Sequence, residues 1–250
     1  MNHASKFLLA CMPALLAACG GSDAQDRLDV ADPVVRFVDA SEAAPNLTLY
    51  RDTVAQADAT NVSYKFASDY FDVATSFADW SVRNAVSGAT VDSASIDPAR
   101  GTKYTIVALP TSAAATGIYI IADPYNKPIG SNSTRLRVVS GIYGAAPVDV
   151  YMNAVGTDIA TPGVNPLIAA TASNTSGPAS GSDSVDIPAG TWQATIATAG
   201  TKTVLFRGRI AFGDNQDILL VVLHDTAVPG RVQTLFKVEG TGGLTQMPTL

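Results

Sequence analysis

The sequence has 250 residues, 47% apolar and 15% charged, with 16 Lys and Arg against 22 Asp and Glu for a net charge of −6. A mildly acidic chain without a basic cluster argues against nucleic acid as a partner, and its apolar content is enough to bury real cores. The 20 Gly and 14 Pro punctuate it into many short segments, as in proteins built from strands.

The chain opens with Lys6 and the apolar run Phe7 to Ala18, which ends in the small residues Ala17 and Ala18 before Cys19. A basic start, a short apolar stretch and a small-residue exit make residues 1–18 a secretion signal. The run is well short of the roughly 20 apolar residues of a membrane-spanning helix. Leu16-Ala17-Ala18-Cys19 resembles the lipobox of bacterial prolipoproteins. The resemblance implies cleavage before Cys19, a diacylglyceryl group on its thiol and an acyl chain such as palmitate on its new amine. Cys11 leaves with the signal, so no internal disulfide can form. Two or three acyl chains hold a protein stably on a membrane, where one gives only marginal binding. Gly20 follows Cys19 where an aspartate would favour inner-membrane retention, so the expected address is the outer membrane, with Cys19 the lipid attachment site and residues 19–33 a flexible tether.

Beyond the tether, a repeat organises the chain. Val35-Arg36-Phe37-Val38 corresponds to Leu136-Arg137-Val138-Val139, and Leu49-Tyr50 to Val150-Tyr151, at an offset of 101. Each copy has a turn containing Ala-Ala-Pro between these strands. Trp80 corresponds to Trp192 at an offset of 112, and Tyr104 to Leu109 matches Ile218 to Leu223 at 114. The polar stretch Thr171 to Ser184 reads as a longer loop that accounts for the added length. A unit of about a hundred residues is too long for a solenoid or propeller repeat and has the size of a domain. The expected organisation is a first domain at 34–123, a linker at 124–133, a second domain at 134–240 and a tail at 241–250.

In the first copy the pattern gives strands near 34–38, 47–51, 61–66, 79–86, 91–96, 102–109 and 117–123. Val62 to Phe66 and Trp192 to Ile196 alternate, as strands with one face in water do. The expected fold class is all-β, two tandem immunoglobulin-like β-sandwich domains, with Trp80 and Trp192 between sheets. The segment Val35 to Ser41, followed by Ala43-Ala44-Pro45 and Leu47 to Tyr50, resembles the start of domain of unknown function family 4397 (DUF4397). Members of that family open with an Arg-containing strand, an Ala-Ser turn, an Ala-Pro and a strand ending in Tyr. The turn Pro188 to Trp192 and the late apolar strands are similar to the rest of its pattern, once per copy. The second copy departs at Ser140-Gly141-Ile142-Tyr143. The resemblance implies an envelope or extracellular setting and brings no catalytic residues.

Chemistry is sparse. Once the signal is removed, His224 is the only histidine, and an adjacent Asp225 on a strand points to the opposite face and does not orient its ring. No Gly-x-Ser-x-Gly elbow exists, and Cys19 is committed to lipid, so no catalytic residue is expected. Zinc lacks Cys and His ligands. Asp214-Asn215-Gln216-Asp217 reads first as a turn and second as a weak calcium site, since it lacks the ligand spacing of an EF-hand. Gly20-Gly21 and Gly242-Gly243 have no strand-to-helix context for holding phosphate. No metal and no cofactor are expected. Tyr64, Phe66, Tyr70, Phe71 and Phe77 cluster in the first copy, as core or as a ligand face.

The favoured reading is a non-catalytic, lipid-anchored envelope module, a spacer or a binder of polysaccharide or envelope proteins, held to the membrane through Cys19. The alternative is an envelope glycan hydrolase using an Asp/Glu pair, for which Glu42 and Glu239 are the only glutamates.

Overall fold

The computed structural model describes residues 31–124 and 129–250. The signal segment 1–18, Cys19 and the tether through residue 30 lie outside the described residues. The first half forms β1 (Val34–Asp39), β2 (Leu47–Arg51), β3 (Val54–Ala55), β4 (Phe66–Ala67), β5 (Phe71–Asp72), β6 (Ala78–Asn84), β7 (Thr90–Ile96), β8 (Thr102–Ser112) and β9 (Ala115–Pro124). The second forms β10 (Ser133–Ser140), β11 (Val148–Asn153), β12 (Ile168–Thr171), β13 (Thr175–Gly177), β14 (Val185–Pro188), β15 (Gly190–Thr198), β16 (Thr203–Phe212), β17 (Gln216–His224), β18 (Val232–Val238) and β19 (Thr245–Gln246). Among the described residues the only helical piece is the short turn Ala57–Ala59.

These strands make four sheets with the same wiring in both halves. The outer sheet of the first half runs β3-β2-β6-β7, and its inner sheet places β1 beside β8, then β9, with β4 and β5 along the other edge of β1. In the second half β12-β11-β15-β16 is the outer sheet, and β10-β17-β18-β19 the inner one, with β13 and β14 along β10. The opening strand of each half pairs parallel with its penultimate long strand, Arg36 beside Thr105 and Arg137 beside Leu219.

The sheets stack as sandwich-like layers. Val35, Phe37, Tyr104 and Ile106 of the first inner sheet pack against Leu47, Leu49, Trp80 and Val82 of its outer sheet. Leu136, Val138, Ile218, Leu220 and Val222 do the same against Val148, Val150, Ile196 and Phe206. The alternate residues of the inner strands meet one another. Val38, Val107, Leu109 and Ile121 of the first half form one cluster with Val139, Leu219, Val221, Leu223 and Leu235 of the second. The inner sheets are therefore covered on both faces, which is why their strands read as nearly unbroken apolar runs.

Several expectations change. The strand expected at 61–66 shrinks to Phe66, the first residue of the two-residue β4: Lys65 takes φ 70° and the Phe66 N–H closes a turn on the Ser63 carbonyl, leaving Val62 in a single bridge with Leu47. By register Leu47 faces Asn84 and Val148 faces Thr198, so the offset is already 114 at β6 and β15, and Ala194 occupies the place of Trp80. Trp80 is fully buried. Trp192, nearer the sheet end, is half-buried and donates its ring N–H to the Pro188 carbonyl. The longer second copy grows in two places, between β11 and β13 and between β13 and β14. The first covers the outer face of Tyr151 with Ile159 and Val164; the second includes the Pro and Ser residues that wrap Arg137. Residues 241–250 pack against the fold. Leu244 joins the central core and Met247 the second sandwich, and Thr249 bridges Gly208, where a Cβ would sit 2.7 Å from the Pro248 carbonyl oxygen.

Leu219 is 1% exposed at the centre of the shared layer. Leu219→Ala is expected to destabilise the protein by about 2–5 kcal/mol, with both halves unfolding in one transition in a denaturant titration. Two separate transitions with only the second shifted would contradict the shared core.

Candidate functional site

The layer between the inner sheets also holds most of the buried charge. Arg36 and Arg137, at the same repeat position, both point into it. Arg137 forms an ion pair with Asp123 at 3.0 Å and donates to the carbonyls of Pro178, Ala179 and Ser182 and to the Ser184 hydroxyl. Arg36 donates to the Thr105 hydroxyl at 2.9 Å and lies over the Tyr70 ring at 4.7 Å. Lys103 pairs with Glu239 at 2.9 Å and approaches Asp217 at 3.9 Å. Lys237, also buried, pairs with Asp69 at 3.4 Å and donates to the Thr241 carbonyl. Burial pushes the Asp217 carboxyl up, with Lys103 and Arg36 opposing; it pulls the Lys237 amine down, with Asp69 opposing.

The contacts exchange across the layer in an approximately two-fold manner. Asp123, at the end of β9, reaches Arg137 of the second half, while Glu239, just past β18, reaches Lys103 of the first. β9 touches the β13 region through Tyr119 and Ser176, and β18 touches the β4 region through Lys237 and Asp69. Such mutual exchange is the signature of an isologous interface.

One end of this pseudo-dyad opens as a cleft of about 170 Å³. Its walls carry equivalent positions from both halves: Glu42 and Tyr143, Pro110 and His224, Ser112 and Thr226, joined by Tyr64 and Gln233. Gly141 lets the halves close beneath it, since a Cβ there would lie 2.8 Å from Leu223 and 3.0 Å from Leu109. The His224 Nε2 lies 2.8 Å from the Tyr143 carbonyl oxygen, an acceptor only, so Nε2 carries the proton and donates; the two rings meet edge to face at 4.5 Å. The Tyr64 hydroxyl is pushed up to about 12 by burial and by the Glu42 and Asp39 charges, with the nearby Gln233 amide opposing. Glu42 is exposed at the rim and makes no ion pair among the described residues.

Of the residues singled out in the sequence, Cys19 and Gly20-Gly21 lie outside the described residues. Asp214 to Asp217 is divided: Asn215 makes a left-handed turn, Asp214 accepts the Ser133 N–H, and Asp217 enters the buried charge layer. The aromatic cluster of the first half disperses. Phe66 and Phe71 pack on the first core, Tyr70 joins the charge layer, Tyr64 lines the cleft, and Phe77 stays 65% exposed. No sequence signal marks Tyr143, Ser112 and Gln233 as site residues, because the cleft exists only once the two copies face each other.

The buried groups generate two expected outcomes. Arg137→Ala should cost about 3–5 kcal/mol in a chemical denaturation series, because it leaves the Asp123 carboxylate without its cation, with only the Ser184 hydroxyl still donating to it, and takes the donor from three backbone carbonyls. Asp39, fully buried, accepts the Ser41 N–H but has a second oxygen without a partner, and burial pushes its carboxyl up from 3.8 to about 7. The folded state thus holds this proton more tightly than the unfolded chain, so the stability it contributes is complete below about pH 4 and lost as pH rises through about 7. Asp39→Asn should raise Tm clearly at pH 8 and little at pH 4; an equal change at both would exclude this account.

Comparison with known proteins places the first half. Residues 33–151, from β1 to the second strand of the second half, match the family described as Domain of unknown function (DUF4397). No curated protein matches the chain. Among solved structures, the chain is similar to the streptococcal modules in "Alpha-glucan recognition by family 41 carbohydrate-binding modules from streptococcal virulence factors", with 15% identity over 80% of this chain and 96% of that one and a TM-score of 0.25. It is also similar to CBMbc (family CBM26) of Eubacterium rectale Amy13K in complex with maltoheptaose, with 8% identity over 87% of this chain and 97% of that one and a TM-score of 0.24. Through residues 33–151, the chain is a DUF4397 domain-containing protein.

Proposed function

We propose that this protein is a non-catalytic binding module, built from two copies of one domain and held at the outer membrane by lipid on Cys19, whose partner is an envelope or extracellular polysaccharide. The observation that carries the reading is the open cleft between the halves. It sets two tyrosine rings and an imidazole beside an amide, two hydroxyls and one carboxylate. Flat apolar faces with a few polar groups at their edges suit the C–H face and ring hydroxyls of a sugar. The hydrolase reading is less favoured, since an acid and base about 5–10 Å apart are needed across a cleft, and Glu42 is the one carboxylate on these walls. Glu239 is engaged with Lys103. Lipid anchoring rests on residues 7–19 of the sequence.

Fractionation of cells expressing the wild type and Cys19→Ala tests the anchor: the wild type is expected in the outer membrane with incorporated palmitate, and Cys19→Ala in the soluble fraction without it. Co-sedimentation of the mature chain with purified envelope polysaccharide tests the binding. Retention of Cys19→Ala on membranes, or a failure to co-sediment, would sink the corresponding part of the proposal. Protease digestion of the anchored protein on intact cells would place it on the outer surface; digestion only after permeabilisation would place it facing the periplasm.

A further inference from the structure

The two walls of the cleft differ at equivalent positions. A symmetric pair of copies would place the same side chains on both sides of the pseudo-dyad, yet here Glu42 faces Tyr143 and Pro110 faces His224. One wall has gained a negative charge and the other has gained two rings. The hydroxyl pair, Ser112 and Thr226, is retained on both. A ligand matched to these walls has a cationic group on one side and a flat apolar face with hydroxyls on the other.

Charge on the cleft walls favours a cation; outside them, the Lys65 Nζ lies 5.3 Å from the Tyr64 ring centroid and donates to Gln246, which leaves Tyr143 as the ring open to a ligand's ammonium. No Lys or Arg lines the cleft, and the walls carry the carboxylate of Glu42. The whole chain is acidic as well, at −6. Aromatic faces add attraction for an ammonium group, by about 0.5–1 kcal/mol at exposed sites. The volume of about 170 Å³ and the open mouth suit a single ring, with the chain of a polymer leaving into solvent.

Resting on the reading of the protein as a saccharide-binding module, we infer that the cleft on the pseudo-dyad is a subsite for an amino sugar with a free amine, the ammonium set against Glu42 and the ring face against Tyr143. The hydroxyls of Ser112 and Thr226 and the Gln233 amide serve the ring hydroxyls.

Calorimetric titration of the full mature chain with three tetrasaccharides tests this: fully deacetylated chito-oligosaccharide, its fully N-acetylated counterpart and maltotetraose. The expected result is about five- to tenfold tighter binding of the amine form, with the preference weakening as salt is raised. Glu42→Gln, which keeps the side chain's size and removes its charge, should erase the preference for the amine form. Tyr143→Phe, which keeps the ring, should retain the preference. Equal binding of the amine and acetylated forms, or a preference that survives Glu42→Gln, overturns the assignment. If the sugars bind but Glu42→Gln changes nothing, the cleft is not the site while the saccharide reading stands; if neither these sugars nor envelope polysaccharide binds, the saccharide reading falls with it.

Discussion

The contact of the two inner sheets governs the rest of the architecture. A β-sheet with one solvated face can stand as the outer layer of a sandwich, but β1, β8, β10 and β17 present apolar side chains on both faces, and each needs two covers. The outer sheet of its own half supplies one; the inner sheet of the other half supplies the second. The order of layers, the position of the chain end against β16 and β18, and the place where a cleft can open all depend on that pairing.

Embedding arginine and lysine in such a layer costs desolvation, and the gain in attraction returns it only when every donor is satisfied. Arg137 meets that condition with a carboxylate, a hydroxyl and three carbonyls; Arg36 meets it in part, with the Tyr70 ring and the Thr105 hydroxyl but no hydrogen-bond partner for its Nη1 among the described residues, beside Lys103 and its two acids. Apolar contact is non-directional and would tolerate sliding of one sheet over the other. The charge exchange, Asp123 to one half and Glu239 to the other, fixes a single register, much as polar groups at coiled-coil interfaces do.

The sequence makes some of this legible and hides the rest for definable reasons. The repeat and most long strands can be read because period-two patterning and Gly or Pro breaks are local. The segment 61–66 has the right alternation, but the left-handed Lys65 converts it to a turn, and no composition signal marks that. Trp192 matches Trp80 by identity, whereas register aligns Ala194 with Trp80, a two-residue slip that keeps the same face. The unbroken runs Tyr104 to Leu109 and Ile218 to Leu223 are the available sign that these sheets are covered twice. The cleft has no such sign: Glu42, Ser112, Tyr143 and His224 are far apart in the chain and converge only through the docking of the halves.

The double coverage of the inner sheets sets a constraint on the order in which the molecule can be assembled. Synthesis runs from the amino terminus, and the first half is complete through β9 before β10 exists. For that interval the face bearing Val38, Val107, Leu109 and Ile121 has no partner, and such transiently open apolar surface is where a folding chain is captured by chaperones or by a second copy of itself. The same self-complementarity that joins the two halves makes two nascent first halves competent to pair with each other, so speed of completion, more than final stability, decides which pairing a given chain reaches.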